Sequence, residues 1–237
     1  MTTLLALDTS TESCSVALLY KGEITALQEL AQRNHTKRIL PMIDEILQQS
    51  AIGLNQVDAL VFGRGPGSFT GVRVGVGIAQ GLAFGADLPT IPISNLTAMA
   101  QQLYSRDNVT DVICAIDARM NEVYFSALQG EKIQIENQSF LQWNEIINEQ
   151  VCSPEKLLNQ LNDKQKKWDR VGTGWNAYSQ FIVEGLTNNT GIELPSAQFM
   201  LSLALPKFLQ KEWISAVEIE PIYLRNEVTW KKLPNRT

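Results

Sequence analysis

Two aspartates, Asp8 and Asp117, stand where a carboxylate could hold a metal-bound phosphate. Each follows an apolar run that predicts a strand, 4–7 and 112–116, and precedes a short loop and a second apolar run. Aspartate at a strand end also caps a turn by accepting hydrogen bonds from nearby backbone N–H groups. Because loop 9–13 has no glycine that would let backbone amides wrap a phosphate, loop capping is the favoured interpretation and nucleotide binding the alternative.

The chain has a single histidine, His35, and this limits acid–base catalysis, imidazole metal sites and nucleophile–base pairs together. Ser68 is not a hydrolase nucleophile of the GxSxG type, because Pro66 and Thr70 stand at the glycine positions. His35 begins a predicted helix over 34–50, where its expected place is the exposed first turn. We therefore expect no catalytic residue and no metal site.

Eight of the fifteen glycines lie in the segment 63–85, which must be an unusual piece of backbone. The segment predicts a strand, a tight turn and a helix capped by Ser68 or Thr70, and it lacks the lysine of a phosphate-binding loop. Within the helix, small residues recur every four positions and are expected to merge into one bare face: Gly71, Gly75, Ala79 and Ala83 on one track, Gly77, Gly81 and Gly85 on another. Since an interior glycine costs about 1 kcal/mol relative to alanine, that face predicts close packing, either within its own domain or against a second subunit.

The overall charge argues against autonomous binding of RNA. The 237 residues carry a formal net charge of −5, with a pI near 5.0, whereas affinity for a polyanion comes mainly from neutralising phosphates. Two basic clusters are interpreted as solvated surface: Lys164, Lys166, Lys167 and Arg170, and Lys231, Lys232 and Arg236.

Three cysteines without a CxxC pair suit a reducing cytosol. The apolar run at the amino terminus is too short for a signal sequence, and the uncharged run 74–86 is shorter than the roughly 20 residues of a membrane span. We therefore predict a cytoplasmic protein that does not contact a membrane.

The same order of elements occurs twice in the chain. The hairpin pattern at the amino terminus returns at 112–130, and strands alternate with helices between the two copies. This alternation predicts α/β layers in each half. An aspartate at a strand end before a hairpin is also the arrangement by which ribonuclease H-like and actin-like ATPase folds hold phosphate or metal.

In six segments the sequence closely resembles the bacterial TsaB (YeaZ) family, and these segments span nearly the whole chain. They are DTSTESCSVAL, HTKRILPMIDEIL, GRGPGSFTGVRVGVGIAQGLAFG, IDARMNEVYF, VGTGW and PIYLRNEVTWKKLP. The resemblance implies an α/β fold with two tandem ribonuclease H-like/actin-like ATPase (ASKHA) domains. The first would cover 1–103 and be completed by the return of 214–237, and the second would cover 104–213.

The resemblance also implies a part in forming N6-threonylcarbamoyladenosine next to the anticodon of ANN-decoding tRNAs. In that pathway a synthase makes threonylcarbamoyl-adenylate from threonine, bicarbonate and ATP, and the TsaD paralogue transfers the threonylcarbamoyl group to tRNA. A TsaB-type chain supports TsaD as its partner, the ATPase TsaE joins them, and tRNA is met only indirectly through the complex. Such chains pair with TsaD or with themselves through helices of the first domain.

For this chain the resemblance implies an accessory role without catalysis. TsaD-like paralogues carry a metal-binding His-x-x-x-His where this chain has Asn95 and Met99, neither of which replaces imidazole. No cofactor is expected, although ATP or ADP binding stays open, with Asp8, Asp117, Gly172 and Gly174 as its candidate residues. Trp175, beside those glycines, is expected to lie in the core or an interface. The alternatives are a weak nucleotide-hydrolysing enzyme, a protease acting on its paralogue, or a purely homodimeric regulator.

The interface is expected on the glycine helix and the helix beside it. A leucine at Gly75 should then break partner binding while the chain still folds. The predicted interface or supporting residues are Arg64, Ser68, Gly71, Gly75, Ile78, His35, Ile39 and Ile43.

Overall fold

The computed structural model describes residues 1–31, 34–162, 167–178 and 187–225, which form a mixed α/β fold with two five-stranded sheets. The strands of the first sheet are β1 (Leu4–Asp8), β2 (Ser13–Tyr20), β3 (Glu23–Leu30), β4 (Ala59–Gly63) and β5 (Thr90–Ile93). Their order is β3-β2-β1-β4-β5. β1 and β3 pair antiparallel with β2, whereas β1, β4 and β5 run parallel.

The second sheet repeats the topology of the first. Its strands are β6 (Asp111–Arg119), β7 (Glu122–Ile135), β8 (Gln138–Cys152), β9 (Trp168–Val171) and β10 (Thr187–Asn189), in the order β8-β7-β6-β9-β10. Antiparallel pairs join β6, β7 and β8, and parallel pairs join β6, β9 and β10. The repeated hairpin predicted from the sequence is therefore confirmed.

Six helices cover the sheets in the described part of the chain, and the alternation of side chains along the strands explains where each packs. The helices are α1 (His35–Gln49), α2 (Phe69–Ala86), α3 (Asn95–Asp107), α4 (Pro154–Asn162), α5 (Gly174–Ala177) and α6 (Ala197–Leu209). In β1, Leu5 and Leu7 face α1 and α2, while Leu4 and Ala6 face α6. β1 is buried on both faces, so it reads as a continuous apolar run.

The second sheet is enclosed in the same way. Ile113 and Phe125 pack against α4 together with Trp175 of α5, and Val112 and Cys114 pack against α3. Trp175 is only 6% exposed, which confirms its expected place in the core. Burial of a large apolar side chain of this kind contributes about 1.5–3 kcal/mol, so these contacts hold the helices on the second sheet.

After α6 the chain returns to the first sheet. Ile214 forms an antiparallel bridge with Thr90, and a short 3₁₀ helix, Ala216–Glu218, packs against α2. The domain boundaries stay a prediction, and residues 226–237 lie outside the described part, as do Lys164, Lys166, Lys231, Lys232 and Arg236 of the basic clusters.

The sequence pattern missed the strand β3 and the full length of the β7–β8 hairpin. Both are exposed along much of their length, so they lack the alternation that marks a half-buried strand. The cap of α2 was predicted correctly, because Ser68 Oγ accepts a hydrogen bond from Gly71 N. Asn34 stands at the N-cap of α1 but makes no capping hydrogen bond.

Among the described residues, no helix is long and apolar enough to cross a membrane. The same residues contain no group of three or more His, Cys, Asp or Glu side chains that could hold a metal ion.

Candidate functional site

A cleft of about 1290 Å³ separates the loops of the two sheets. The first sheet contributes the β1–β2 loop, the start of α1 and the start of α2, and the second contributes the end of β6 and the residues around α5. Arg225 from the returning chain completes the lining. Side chains that line this cleft include Ser10, Glu12, His35, Ser68, Phe69, Asp117, Arg119, Met120, Thr173, Asn176 and Glu193.

Asp8 does not line the cleft, because it is 1% exposed and forms part of a buried hydrogen-bond network. Its Oδ1 accepts a hydrogen bond from Asn95 Nδ2 at 2.7 Å, and its Oδ2 accepts from Ser10 Oγ at 3.1 Å. Burial raises the pKa of Asp8 to about 6, although the hydrogen bonds from Asn95 and Ser10 oppose that rise. Gly63 makes room for this carboxyl, since a Cβ there would lie 2.1 Å from Asp8 Oδ1.

Asn95 is the centre of that network and was not recognised as such from the sequence. Its side-chain Oδ1 accepts a hydrogen bond from Gly65 N at 2.8 Å, and its backbone N–H donates to Gly65 O at 3.0 Å. The side chain therefore joins the start of α3 to the loop after β4 and to Asp8. No local sequence pattern marks this role, because the burial of Asn95 and its contacts arise only in the folded chain.

Asp117 does line the cleft, but its carboxylate is already engaged within the second sheet. Oδ1 accepts from Arg119 N at 2.8 Å and from the Tyr178 hydroxyl at 2.7 Å, and Oδ2 accepts from Arg119 Nη1 at 2.8 Å. Burial, together with the hydrogen bond to Asp117 and its charge, raises the pKa of Tyr178 to about 12. Arg119 also reaches across the cleft to Glu12 at 3.8 Å, an exposed ion pair that contributes little to stability.

Gly172 and Gly174 both pack closely against the backbone of β6. A Cβ on Gly172 would lie 2.2 Å from Ala115 O, and its φ is +104°, which disfavours any other residue. A Cβ on Gly174 would lie 3.0 Å from the same carbonyl oxygen. Of the four candidate nucleotide-binding residues, Asp117 alone is among the described residues that line the cleft, and nucleotide binding stays a prediction.

The loop from Gly63 to Ser68 connects the two sheets. Arg64 Nη1 lies 2.9 Å from Glu149 Oε2 of β8, with the two side chains only 19% and 8% exposed, and the Ser94 hydroxyl donates to the same carboxylate. This ion pair joins the loop after β4 in the first sheet to β8 in the second. Arg64, predicted at an interface between subunits, is thus engaged within its own chain.

The expected single bare face of α2 is wrong. Gly71 and Gly75 lie against Thr9 of the same chain, because Cβ atoms there would be 2.2 Å from Thr9 O and 2.8 Å from Thr9 Oγ1. Gly77, Gly81 and Gly85 have nothing within 4 Å of such a Cβ. At 100° per residue the two glycine tracks are centred about 140° apart, so one can pack on the sheet while the other faces outward.

Other predicted interface residues are also distributed between the core and the surface. Ile39 and Ile43 are buried in the core, and Ile78 is partly buried. His35 lines the cleft and its buried Nε2 has no hydrogen-bond partner among the described residues. Ile39 and Ile43 are too deeply buried to contact a partner and could only support an interface. A leucine at Gly75 would collide with Thr9, so that substitution does not test the interface.

The side of α2 turned away from the sheet is an exposed apolar surface, which we call the outer face of α2. Phe69 is 68% exposed and Phe84 is 72% exposed, with glycines between them. These two side chains are among the large hydrophobic residues that the described part of the chain leaves exposed. The outer face consists of Phe69, Arg73, Val74, Gly77, Ile78, Gly81, Phe84 and Gly85.

Comparison with known sequences identifies the family. The model of the family described as "TsaD: tRNA N6-adenosine threonylcarbamoyltransferase" matches residues 23–218. The chain is 69% identical to the "tRNA threonylcarbamoyladenosine biosynthesis protein TsaB" of Haemophilus influenzae, an alignment that covers 99% of this chain and 98% of that protein. The chain belongs to the TsaB (YeaZ) family. The protein of the same name from Escherichia coli is 45% identical, over 98% of this chain and 99% of that protein.

The fold of this TsaB-family chain matches a solved relative along its length. YeaZ from Pseudomonas aeruginosa is 38% identical and superposes with a TM-score of 0.82, over 94% of this chain and 100% of that chain. The family recognised from the six sequence segments is thus confirmed.

Proposed function

We propose that this chain is the non-catalytic partner subunit of a TsaD-type transferase in the formation of N6-threonylcarbamoyladenosine next to the anticodon of ANN-decoding tRNAs. The identity of 69% along almost the whole TsaB of Haemophilus influenzae carries the proposal. We further propose that the two sheets of equal topology are two tandem ASKHA domains.

Residues in the cleft and buried beneath it support an accessory role. Asn95 and Met99 are buried where TsaD-like paralogues hold a metal, and Asn95 is engaged with Asp8 and Gly65. The carboxylate of Asp117 is engaged with Arg119 and Tyr178. The proposal gives the chain no cofactor of its own, and a TsaE-type ATPase and tRNA would join through the complex.

The reconstituted modification reaction tests this function. Purified synthase, TsaD, TsaE, tRNA, threonine, bicarbonate and ATP are combined with or without the chain, and threonylcarbamoyladenosine is measured in the tRNA. We expect sustained modification only when the chain is present, and no ATP turnover by the chain alone. Modification at the same rate without the chain would overturn the proposal, and turnover by the chain alone would favour the enzymatic alternative.

The partner is proposed to bind at the outer face of α2. Gly77 and Gly81 leave the helix backbone open between Phe69 and Phe84, which permits a partner helix to approach closely. Small residues at a helix surface allow such close approach in general. The same face would serve TsaD or a second copy of this chain, so the two partners would compete for it.

Gly81→Arg is expected to weaken binding of TsaD by about 100-fold, or about 2.8 kcal/mol, because the long charged side chain fills the space where the helices meet. The fold should be unaffected, since nothing lies within 4 Å of a Cβ at this position. Titration calorimetry measures the dissociation constant. Gln134→Arg, on the exposed strand β7 of the second sheet, is the matched control. Equal affinities for the two variants would place the interface elsewhere.

A further inference from the structure

The returning chain between Ile214 and Arg225, which we call the C-terminal strap, connects α2 to the far side of the cleft. It begins on the first sheet, where Thr90 N donates to Ile214 O at 2.8 Å and Ile214 N donates to Thr90 O at 2.9 Å. It then crosses α2, where Gln80 Nε2 donates to Ala216 O at 3.0 Å.

The strap next forms a stack with the first turn of α2. The rings of Tyr223 and Phe69 have centroids 6.2 Å apart, and the Arg73 guanidinium lies 3.3 Å from the Phe69 centroid and 4.6 Å from that of Tyr223. Phe69 and Arg73 both belong to the outer face of α2. A partner on that face would therefore bear directly on the position of Tyr223.

Two residues later, Arg225 contacts residues 118–122 of the second sheet, which we call the β6–β7 loop. Its Nη2 donates to Ala118 O at 3.2 Å and to the Glu122 carboxylate, and its Nη1 lies 3.6 Å from Met120 Sδ. Hydrogen bonds from a guanidinium to a carboxylate are among the strong ones in proteins.

The held loop has an unfavourable backbone. Arg119, Met120 and Asn121 have φ values of 62°, 55° and 59°, a left-handed conformation that non-glycine residues rarely adopt in succession. Such backbone persists only when its surroundings hold it in place. This loop also carries Arg119, which lies 3.8 Å from Glu12 across the cleft, so the loop forms one side of the mouth of the cleft.

We propose that Tyr223 and Arg225 are positioning residues that couple the outer face of α2 to the β6–β7 loop at the mouth of the cleft. Only one residue separates Tyr223 from Arg225, so the chain between the aromatic stack and the contacts of Arg225 is too short to move freely. Occupation of the outer face fixes Tyr223, and Arg225 then fixes the loop. The coupling itself is a property of this chain, and only the identity of the partner that uses it rests on the proposed function.

Hydrogen exchange of the amides in 116–125, followed by mass spectrometry on the full chain, tests the coupling. Arg225→Ala is expected to speed exchange in this loop by about tenfold or more. Tyr223→Ala is expected to do the same, even though the Tyr223 ring packs against α2 and not against the loop. Tyr223→Phe keeps the ring and should exchange like the parent chain. Tyr20→Ala is the matched control, because Tyr20 also carries a cation on its ring, Lys21 at 4.8 Å, but lies at the far end of the first sheet.

Faster exchange in both strap variants, with cooperative melting retained and no change in Tyr20→Ala, supports the coupling. Unchanged exchange in Tyr223→Ala overturns it, because Arg225 would then act alone. Adding TsaD separates this inference from the proposed function: bound TsaD should slow exchange in 116–125 of the parent chain but not of Arg225→Ala. If TsaD does not bind, the proposed function fails while the exchange data on the free chain still decide the coupling.

Discussion

Gly71→Ala is expected to lower the free energy of unfolding by about 3 kcal/mol, which corresponds to a fall in Tm of about 6–12 °C for a protein of this size. The added Cβ would lie 2.2 Å from Thr9 O, a backbone atom that cannot move without disturbing β1. The same shift would strain the hydrogen bond from Thr9 Oγ1 to Gly71 O, which is 2.7 Å long. Thermal and urea unfolding measure the loss.

The matched control for this prediction is Gly77→Ala, in the same helix. Nothing lies within 4 Å of a Cβ at Gly77, so this change should stabilise the chain by up to about 1 kcal/mol through helix propensity alone. A pair of variants that shift the stability in opposite directions would establish that only one glycine track packs on the sheet. Equal stabilisation by both substitutions would contradict the packing of α2 against Thr9.

Asp8→Asn is expected to remove a loss of about 3 kcal/mol in the free energy of unfolding that the parent chain undergoes as the pH rises. The pKa of Asp8 rises from 3.8 to about 6 on folding, mainly because the carboxyl is buried. A carboxyl with a raised pKa stabilises the fold fully at pH values below 3.8, and this contribution is lost as the pH rises through about 6. Relative to the parent chain, Asp8→Asn should therefore gain about 3 kcal/mol between pH 3 and pH 7.5.

The network around Asp8 can accept the amide. The new Oδ1 can accept the hydrogen bond from Asn95 Nδ2. The Ser10 hydroxyl oxygen already accepts from Asn95 Nδ2 at 2.7 Å, and its second lone pair can accept from the new amide group. Asp107→Asn is the control, because the hydrogen bond from Arg106 holds the pKa of Asp107 below its usual value. Removing that carboxylate should therefore change the pH dependence of stability in the opposite direction. Urea unfolding at several pH values gives the comparison. If the free energy of unfolding depends on pH in the same way for the parent chain and for Asp8→Asn, ionisation of the buried Asp8 carboxyl does not destabilise the fold, and the prediction is wrong.

Local sequence patterns were sufficient for much of the fold but for little of the site. The run at 4–7, the helix beginning at His35 and the cap at Ser68 were all predictable, because burial and capping leave signals in adjacent residues. The strand β3 was not predictable in this way, since an exposed edge strand has no apolar alternation.

Asp8 and Arg64 show most clearly what local sequence patterns could not predict about the candidate site. Asp8 was chosen for its place at the end of a strand, and Arg64 for its place beside the glycine helix. Asp8 instead binds Asn95, 87 residues away, and Arg64 pairs with Glu149 on the other sheet. No pattern of neighbouring residues specifies such partners. The signal for Asn95 was equally hidden, because its function depends on three segments that meet only after folding.

The sequence by itself determined the family, the repeated α/β pattern and the presence of a glycine-rich helix, because these depend on local residue types and their order along the chain. The tertiary structure alone decided which glycines pack against Thr9 and which face outward, that Asp8 is buried, and that the C-terminal strap joins α2 to the cleft. The physical reason is that burial and hydrogen-bond partners are set by contacts between distant segments. A periodic face of a helix therefore shows that something packs there, while only the assembled sheets show what it is.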